Sequence, residues 1–427
     1  MKKLLFIFLT LALVSLISFD SYPELIRFKD GREIEADIIE RSSKSITIKV
    51  GGKRRTYSFD KIEAIEGEGD IFLPPKGYTP TNIIKRRGAE VIYDIIEQVN
   101  DEKVAFYFKT AKEYLQNQQD LEAIAEYKKA LAINPDLAEV YYNLGFIYSV
   151  SGQNQKAILH YQKATELNPK FAFAYNNLGA IYSALGKYEK AVVYFQEAFN
   201  AEPNEAIICN NLGYTYSALE QYGPAVGYLE KCLEIDPEFV EAYYNLGLTY
   251  QFMGKYNRAV DSYEQALSIN PQFVQAYNNL GVVYRSLGLK QKAIETYEKA
   301  LKINPTYFDL YDNLGNIYVD KGQYQQAIDN YKKALAINPN LSEVYHRLAF
   351  IYNNKLGEPY KAVVYLKKAI KLDPYYANAY FGLGIVYANF GRRREARENL
   401  LKAKKLFHQR GDYPEAERVD IYLHQLF

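Results

Sequence analysis

Two hydrophobic periods divide the chain. From about Leu25 to Ile65 apolar residues alternate with polar ones: Ile26 and Phe28 stand against Arg27 and Lys29, and Ile34, Ala36 and Ile38 against Glu33, Glu35 and Asp37. A period of two puts one face of an extended strand toward a core and the other toward water. Asp30-Gly31 and Gly51-Gly52 are turn signals between such runs; Ile46, Ile48 and Val50 form a third run, Tyr57 and Phe59 a fourth, and Ile62 with Ile65 a last. This predicts a small all-β, barrel-like domain over residues 21–67. Residues 68–82 are rich in Gly and Pro and predict a linker. Ile83, Ile84, Val91, Ile92, Ile95, Ile96 and Val99 then recur at helical spacing, which predicts a lead-in helix over 83–103.

From Val104 the helical pattern itself repeats. Pro135, Pro169, Pro203, Pro237, Pro271, Pro305 and Pro339 stand 34 residues apart, and Pro374 follows after 35. With this proline as position 32 of each repeat, position 20 is always alanine and position 27 is alanine except at Cys232. Position 8 is Gly145, Gly179, Gly213, Gly247, Gly281, Gly315 and Gly384, with Ala111 and Ala349 in the other two repeats. Glycine inside a helix costs about 1 kcal/mol against alanine, so its recurrence calls for close helix packing. Position 7 is leucine from Leu144 to Leu383 and position 11 tyrosine from Tyr148 to Tyr387, and both are expected in the core. The proline ends the second helix of each repeat, because it lacks the N–H that would continue the ladder. Counting this way gives nine helix–turn–helix repeats over 104–411. The eighth carries one extra residue near Lys355–Pro359, and a capping helix is expected over 412–427.

A 34-residue period with these small residues resembles the tetratricopeptide repeat (TPR). The β segment resembles SH3-like or Sm-like barrels on pattern alone. The first resemblance implies a mainly α fold, a right-handed α-solenoid superhelix of about nine repeats, with a concave face lined by positions 2, 5, 6, 9 and 12 of each first helix. Position 6 is Asn143, Asn177, Asn211, Asn245, Asn279 and Asn313 in six consecutive repeats, although asparagine is a mediocre helix former. The run is similar to the asparagine ladder in the repeat domain of O-linked N-acetylglucosamine transferases, which implies contact with a peptide main chain. Hydrogen bonding between neighbouring repeats is the alternative reading. Beside it the wall is expected to be aromatic in repeats two to five (Tyr142, Phe146, Phe173, Ile207, Tyr214, Tyr244, Phe252). In repeats six to eight it is expected to be charged (Arg285, Asp309, Asp312, Asn316, Asp320, His346, Arg347).

Composition narrows the function. The chain has 427 residues, 52 Lys+Arg against 51 Asp+Glu, and therefore no basic excess of the kind that marks a nucleic-acid binder. Its four histidines show no metal spacing, and no phosphate loop or nucleophile motif is present, so neither a cofactor nor catalysis is expected. No stretch is left over for a transferase domain. Arg410-Gly411-Asp412 is read as a turn. Cys209 and Cys232, at positions 4 and 27 of one repeat, are expected to be near each other, either as buried thiols or as a disulfide. Lys2 and Lys3 ahead of the uncharged stretch Leu4–Phe19 predict a signal peptide or N-terminal anchor over residues 1–20. Together these predict an exported interaction scaffold of the cell envelope. Its expected partner is a protein or peptide in the groove, with membrane attachment through the apolar N-terminus. A tethering factor using barrel and solenoid for different partners, or a substrate-recruiting subunit of a separate enzyme, are the alternatives.

Overall fold

A computed structural model describes residues 102–426 in full and, ahead of them, only the backbone of five strands. These are β1 (Glu24–Phe28), β2 (Glu33–Arg41), β3 (Ser45–Val50), β4 (Lys53–Ser58) and β5 (Ile62–Glu66), paired antiparallel in the order β4-β3-β2-β1-β5. The strands' side chains, the segment 1–20, the linker 68–82 and nearly all of 83–103 lie outside the described residues. No packing among the described residues supports the expected small barrel.

Residues 102–426 hold nineteen α-helices and no strand. The chain divides into two compact units, Met1–Thr249 and Tyr250–Phe427. The first contains α1 (Glu102–Gln116), α2 (Asp120–Ile133), α3 (Ala138–Val150), α4 (Asn154–Leu167), α5 (Ala172–Ala184), α6 (Tyr188–Ala201), α7 (Ala206–Ala218) and α8 (Tyr222–Ile235), and most of α9 (Val240–Phe252). In the second are α10 (Tyr256–Ile269), α11 (Val274–Ser286), α12 (Lys290–Ile303), α13 (Phe308–Asp320), α14 (Tyr324–Ile337), α15 (Ser342–Asn354), α16 (Pro359–Leu372), α17 (Ala377–Asn389), α18 (Arg393–Gln409) and α19 (Tyr413–Leu426). Odd-numbered helices α1 to α17 are the first (A) helices of repeats, even-numbered ones the second (B) helices, and α19 follows the ninth repeat.

Local chemistry sets where each helix stops. Before the repeat proline, the side-chain oxygen of Asn134, Asn168, Asp236, Asn270, Asn304, Asn338 or Asp373 accepts the backbone N–H two residues on, closing a turn around the proline. The A-to-B turn needs a left-handed residue at position 15. Gly152, Gly186, Gly254, Gly288, Gly322, Gly357 and Gly391 supply it at φ of +64° to +77°, whereas Gln118 and Glu220 adopt it at 59° and 60° without being glycine.

The small positions pack as expected: every alanine at position 20 and every residue at position 27, Cys232 included, has no exposed surface. The glycine at position 8 has a more specific cause. A Cβ on Gly145 would lie 2.7 Å from the Tyr161 ring, one on Gly179 2.6 Å from Phe195, and one on Gly315 2.4 Å from Tyr331. The opposing residue is position 24 of the same repeat, a Tyr, Phe or Leu buried to 0–2% exposure. This position holds large core side chains in every repeat, while position 11 does so only in part: Tyr250, Tyr284, Tyr352 and Tyr387 are buried as expected. Tyr148, Tyr182 and Tyr216 at position 11 are only half buried, each stacked on the ring at position 23 (His160, Tyr194 and Tyr228) 5.2–5.6 Å away. Lysines at position 19 lie over two of these rings, Lys156 over Tyr148 and Lys190 over Tyr182.

Within each unit the A helices of neighbouring repeats also touch one another (α5 with α7, α11 with α13, α15 with α17), more extensively than any two neighbouring B helices do. The A helices thus form a continuous face of their own. At the C-terminal end α19 lays Ala416 and Val419 on Phe381, Leu400, Leu406 and Phe407, covering the last repeat. The Arg410-Gly411-Asp412 tripeptide is the turn into it, with Gly411 at φ +71°.

Candidate functional site

The A-helix face gathers the residues singled out from the sequence, and a ladder of hydrogen bonds runs through it. In the first unit Asn211 Nδ2 donates to Asn176 Oδ1 and Asn245 Nδ2 to Asn210 Oδ1, both at 2.9 Å. Asn177 Nδ2 donates to the hydroxyls of Tyr142 (3.3 Å) and Tyr161 (3.0 Å), and Asn143 Nδ2 to that of Tyr127 (3.1 Å). In the second unit Asn313 Nδ2 donates to Asn278 Oδ1 at 2.9 Å. In four of the five repeats the rule is the same: position 6 donates to position 5 of the preceding repeat, 35 residues back. Asn143, Asn177, Asn211 and Asn245 are only 2–4% exposed, whereas Asn279 and Asn313 are partly open. A half-satisfied amide in such a place costs about 1–3 kcal/mol, which explains why the asparagine recurs. Of the two readings of the run, bonding between repeats is the one the geometry displays.

Position 5 was not evident from the sequence, because the acceptor there changes identity from repeat to repeat: Tyr142, Asn176, Asn210, Asn278 and, in the seventh repeat, Asp312. Tyr142 is accordingly not a groove wall; it is 2% exposed and stacked on Phe171 at 4.9 Å. Tyr244 is likewise buried, as is Ile207. The half-buried aromatics that remain on this face of the first unit are Phe146, Phe173 and Tyr214, while Phe252 in the second unit is exposed.

In the second unit the ladder turns ionic. Arg347, at position 6 of the eighth repeat, replaces asparagine and grips Asp312 at 2.5 Å through Nη1, while its Nη2 meets Glu343 at 3.1 Å. Arg285 Nε pairs with Asp320 at 2.7 Å. Tyr331, at position 24, donates its hydroxyl to Asn316 Oδ1 at 2.8 Å. Burial, reinforced by Asp312, raises the Asp309 carboxyl to about 6. Burial, with Arg347 adding to it, pushes His346 down to about 4, so its ring is neutral at physiological pH. Glu343 belongs to this cluster and was missed from the sequence, since nothing in its own repeat marks it.

Among the described residues no group of His, Cys, Asp or Glu is arranged to hold a metal ion, and no helix is long and apolar enough to cross a membrane. Cys209 and Cys232 are free, buried thiols, and burial raises Cys209 to about 11, which makes it a poor nucleophile.

Models of the tetratricopeptide repeat match residues 138–171, 171–238, 240–273, 274–307, 296–329 and 342–376, and a TPR-repeat model matches 111–149 and 315–355. The matched segments together cover more than half of the chain, and their bounds at 138, 240, 274 and 342 coincide with the repeat frame used above. Among solved structures, MamA is 31% identical over 39% of this chain and 97% of its own, with a TM-score of 0.36. A tetratricopeptide repeat protein from Parabacteroides merdae is 21% identical over 58% and 98%, with a TM-score of 0.48. YrrB, described as a TPR protein with an unusual peptide-binding site, is 23% identical over 44% and 96%, with a TM-score of 0.37. A search of curated proteins returned no match. The prolyl ruler, the buried glycine and alanine positions and the matched repeat models agree: the chain belongs to the tetratricopeptide repeat family.

Proposed function

We propose that the chain is a non-enzymatic scaffold that holds a segment of a protein or peptide along its A-helix face. The observation that carries this reading is the division of labour on that face. The position-6 and position-5 side chains bind repeat to repeat and stiffen the surface, while Phe146, Phe173 and Tyr214 remain half open beside them in the first unit. Aromatic side chains held on a rigid backbone bring much contact area at little entropic cost, the usual anchor of a protein interface. In this reading the asparagines act on a ligand mainly by keeping that surface in place, Asn279 and Asn313 being the more open pair of the run.

The test is selection of a random dodecapeptide library on the full chain, followed by titration of retained peptides. Replacing Phe146, Phe173 and Tyr214 by Ser together should weaken those peptides at least tenfold with the helical circular dichroism and melting temperature little changed. Equal retention by the folded triple variant, or substrate turnover by the purified chain, would refute the scaffold reading.

Export belongs to the same proposal and rests on Lys2, Lys3 and the uncharged stretch to Phe19. It places the scaffold in the cell envelope, on the outer face of the membrane or in the periplasm. Fractionation of the native host with N-terminal sequencing checks it, and recovery from the cytosol with residues 1–20 intact rejects it. We further infer that residues 21–67 form a separate small domain; the antiparallel order of the five strands supports this.

A further inference from the structure

Charge on the A-helix face of the second unit does not balance. Asp312 and Glu343 share one guanidinium, that of Arg347. Arg285 is already committed to Asp320, whose backbone oxygen also accepts from Lys290 Nζ at 2.8 Å. Asp309 stands half buried on the same face as Asp312, and among the described residues it has neither a hydrogen bond nor an ion pair. His346 on the next repeat is neutral and offers no compensating charge. A carboxylate held partly away from water without a partner is costly, and the fold is more stable without its charge than with it.

A second, independent feature lies on the same strip. The hydroxyl of Tyr297, at position 24 of the sixth repeat, is fully buried and has no hydrogen-bond partner. Its counterparts show which way such hydroxyls point. Those of Tyr127 and Tyr161 reach position 6 of the next repeat, that of Tyr263 reaches Gln251, and that of Tyr331 reaches Asn316 at position 9. All of these partners are on A helices. In the sixth repeat position 9 is Val282, which cannot accept, and Asn313 already donates to Asn278. Tyr297 therefore aims an unused donor toward the A-helix face, where Arg285 and Asp312 are its charged neighbours.

We propose that this strip of the second unit, centred on Asp309, receives the cationic side chain of an arginine or lysine carried by the bound peptide. The inference rests on the scaffold reading and names the chemistry of its partner. An incoming guanidinium or ammonium restores the missing positive charge beside Asp309 and Asp312. Beneath the strip, Tyr297 leaves an unused hydroxyl donor beside Asp312 and Arg285. Electrostatic pairing of this kind sets register and specificity along an extended ligand, and it weakens with added salt.

The experiment uses the full chain and peptides retained from the random dodecapeptide library. Retained sequences should share one Arg or Lys column. Changing that residue to Gln in a retained peptide should weaken binding at least tenfold on the wild type but less than threefold on Asp309→Asn, the coupling expected of a direct pair. Exposed Glu398→Gln, an equal change of net charge away from the strip, should leave affinity within twofold. A retained set without a basic column, or an Asp309→Asn variant that binds as tightly as the wild type, overturns the inference and leaves the scaffold reading standing. Failure of the wild type to retain any peptide removes both. Equal weakening by Asp309→Asn and Glu398→Gln would show general attraction to an acidic surface and likewise overturn it.

Discussion

Asn211 shows what the run of asparagines does at the scale of one residue. Its amide nitrogen is buried and bonded to Asn176, so Asn211→Ala strands an acceptor rather than opening a contact site. The expected loss is about 1–2 kcal/mol of unfolding free energy, seen as a lower urea midpoint. A ladder residue acting only on a ligand would leave that midpoint where it was. The run was plain in the sequence, but its role was not. The partner sits 35 residues away at a position whose identity changes, and a reading in frames of 34 compares each residue with its own likeness rather than with its neighbour. Asp309 makes the opposite prediction. Its folded pKa, about 6, lies above the ordinary 3.8, so its charge burdens the fold above pH 6 and ceases to do so as pH falls toward 4. Asp309→Asn should therefore be more stable than the wild type by roughly 1–2 kcal/mol at pH 7.5, a figure reduced for partial exposure, and no more stable at pH 4. His346 works the other way over the same range. Its pKa is lowered from 6.5 to about 4, so the stability linked to its neutral ring is lost as pH falls below 6.5. Thermal melts of both proteins from pH 4 to 7.5 resolve the two contributions, and a stability gap for Asp309→Asn that is the same at both ends would contradict the assignment.

At the scale of the helix pair, most of the architecture was legible because it is written in identities. Proline at position 32, glycine at 8 and alanine at 20 and 27 each answer a single geometric demand that few other residues meet. Position 24 escaped notice since Tyr161, Phe195 and Leu229 satisfy its demand, which is volume, equally well. The tyrosines at position 11 were assigned to the core on periodicity, which holds for Tyr250, Tyr284, Tyr352 and Tyr387, whereas Tyr148, Tyr182 and Tyr216, each stacked on a ring at position 23, settle at the boundary of the pair. The turn between the helices carries its own test. Glu220 holds φ at 60° where seven other repeats place glycine, and its side chain is exposed. Glu220→Gly should raise stability by about 1 kcal/mol, whereas Gly186→Ala, at φ +67°, should lower it by a similar amount. Differential scanning calorimetry on the two variants should show shifts of opposite sign; shifts of the same sign would mean that chain entropy, not turn geometry, dominates there.

Across the whole molecule, positive and negative side chains nearly cancel, but they are not spread evenly. The first unit presents aromatic rings on its A-helix face, and the second presents ions. The sequence displayed this contrast. It could not show that Arg285 and Arg347 are already engaged by Asp320 and by Asp312 with Glu343, which leaves Asp309 as the charge without an answer. The ladder has one further consequence. Each of its bonds is shared between two repeats, donor in one and acceptor in the one before, so the repeats are not interchangeable beads but tiles with matching edges. Excising residues 172–205 brings Asn211 to Tyr142, an acceptor that already serves an asparagine. Excising 308–341 instead brings Arg347 to Asn278, which carries no charge to receive it. The first deletion should keep cooperative unfolding and the second should lose it, and an equal outcome would show that the edges carry no order. If the tiles do carry it, the succession of repeats is fixed by grammar as well as by stacking, and a duplicated repeat would fit only where its neighbours already spoke the same pair.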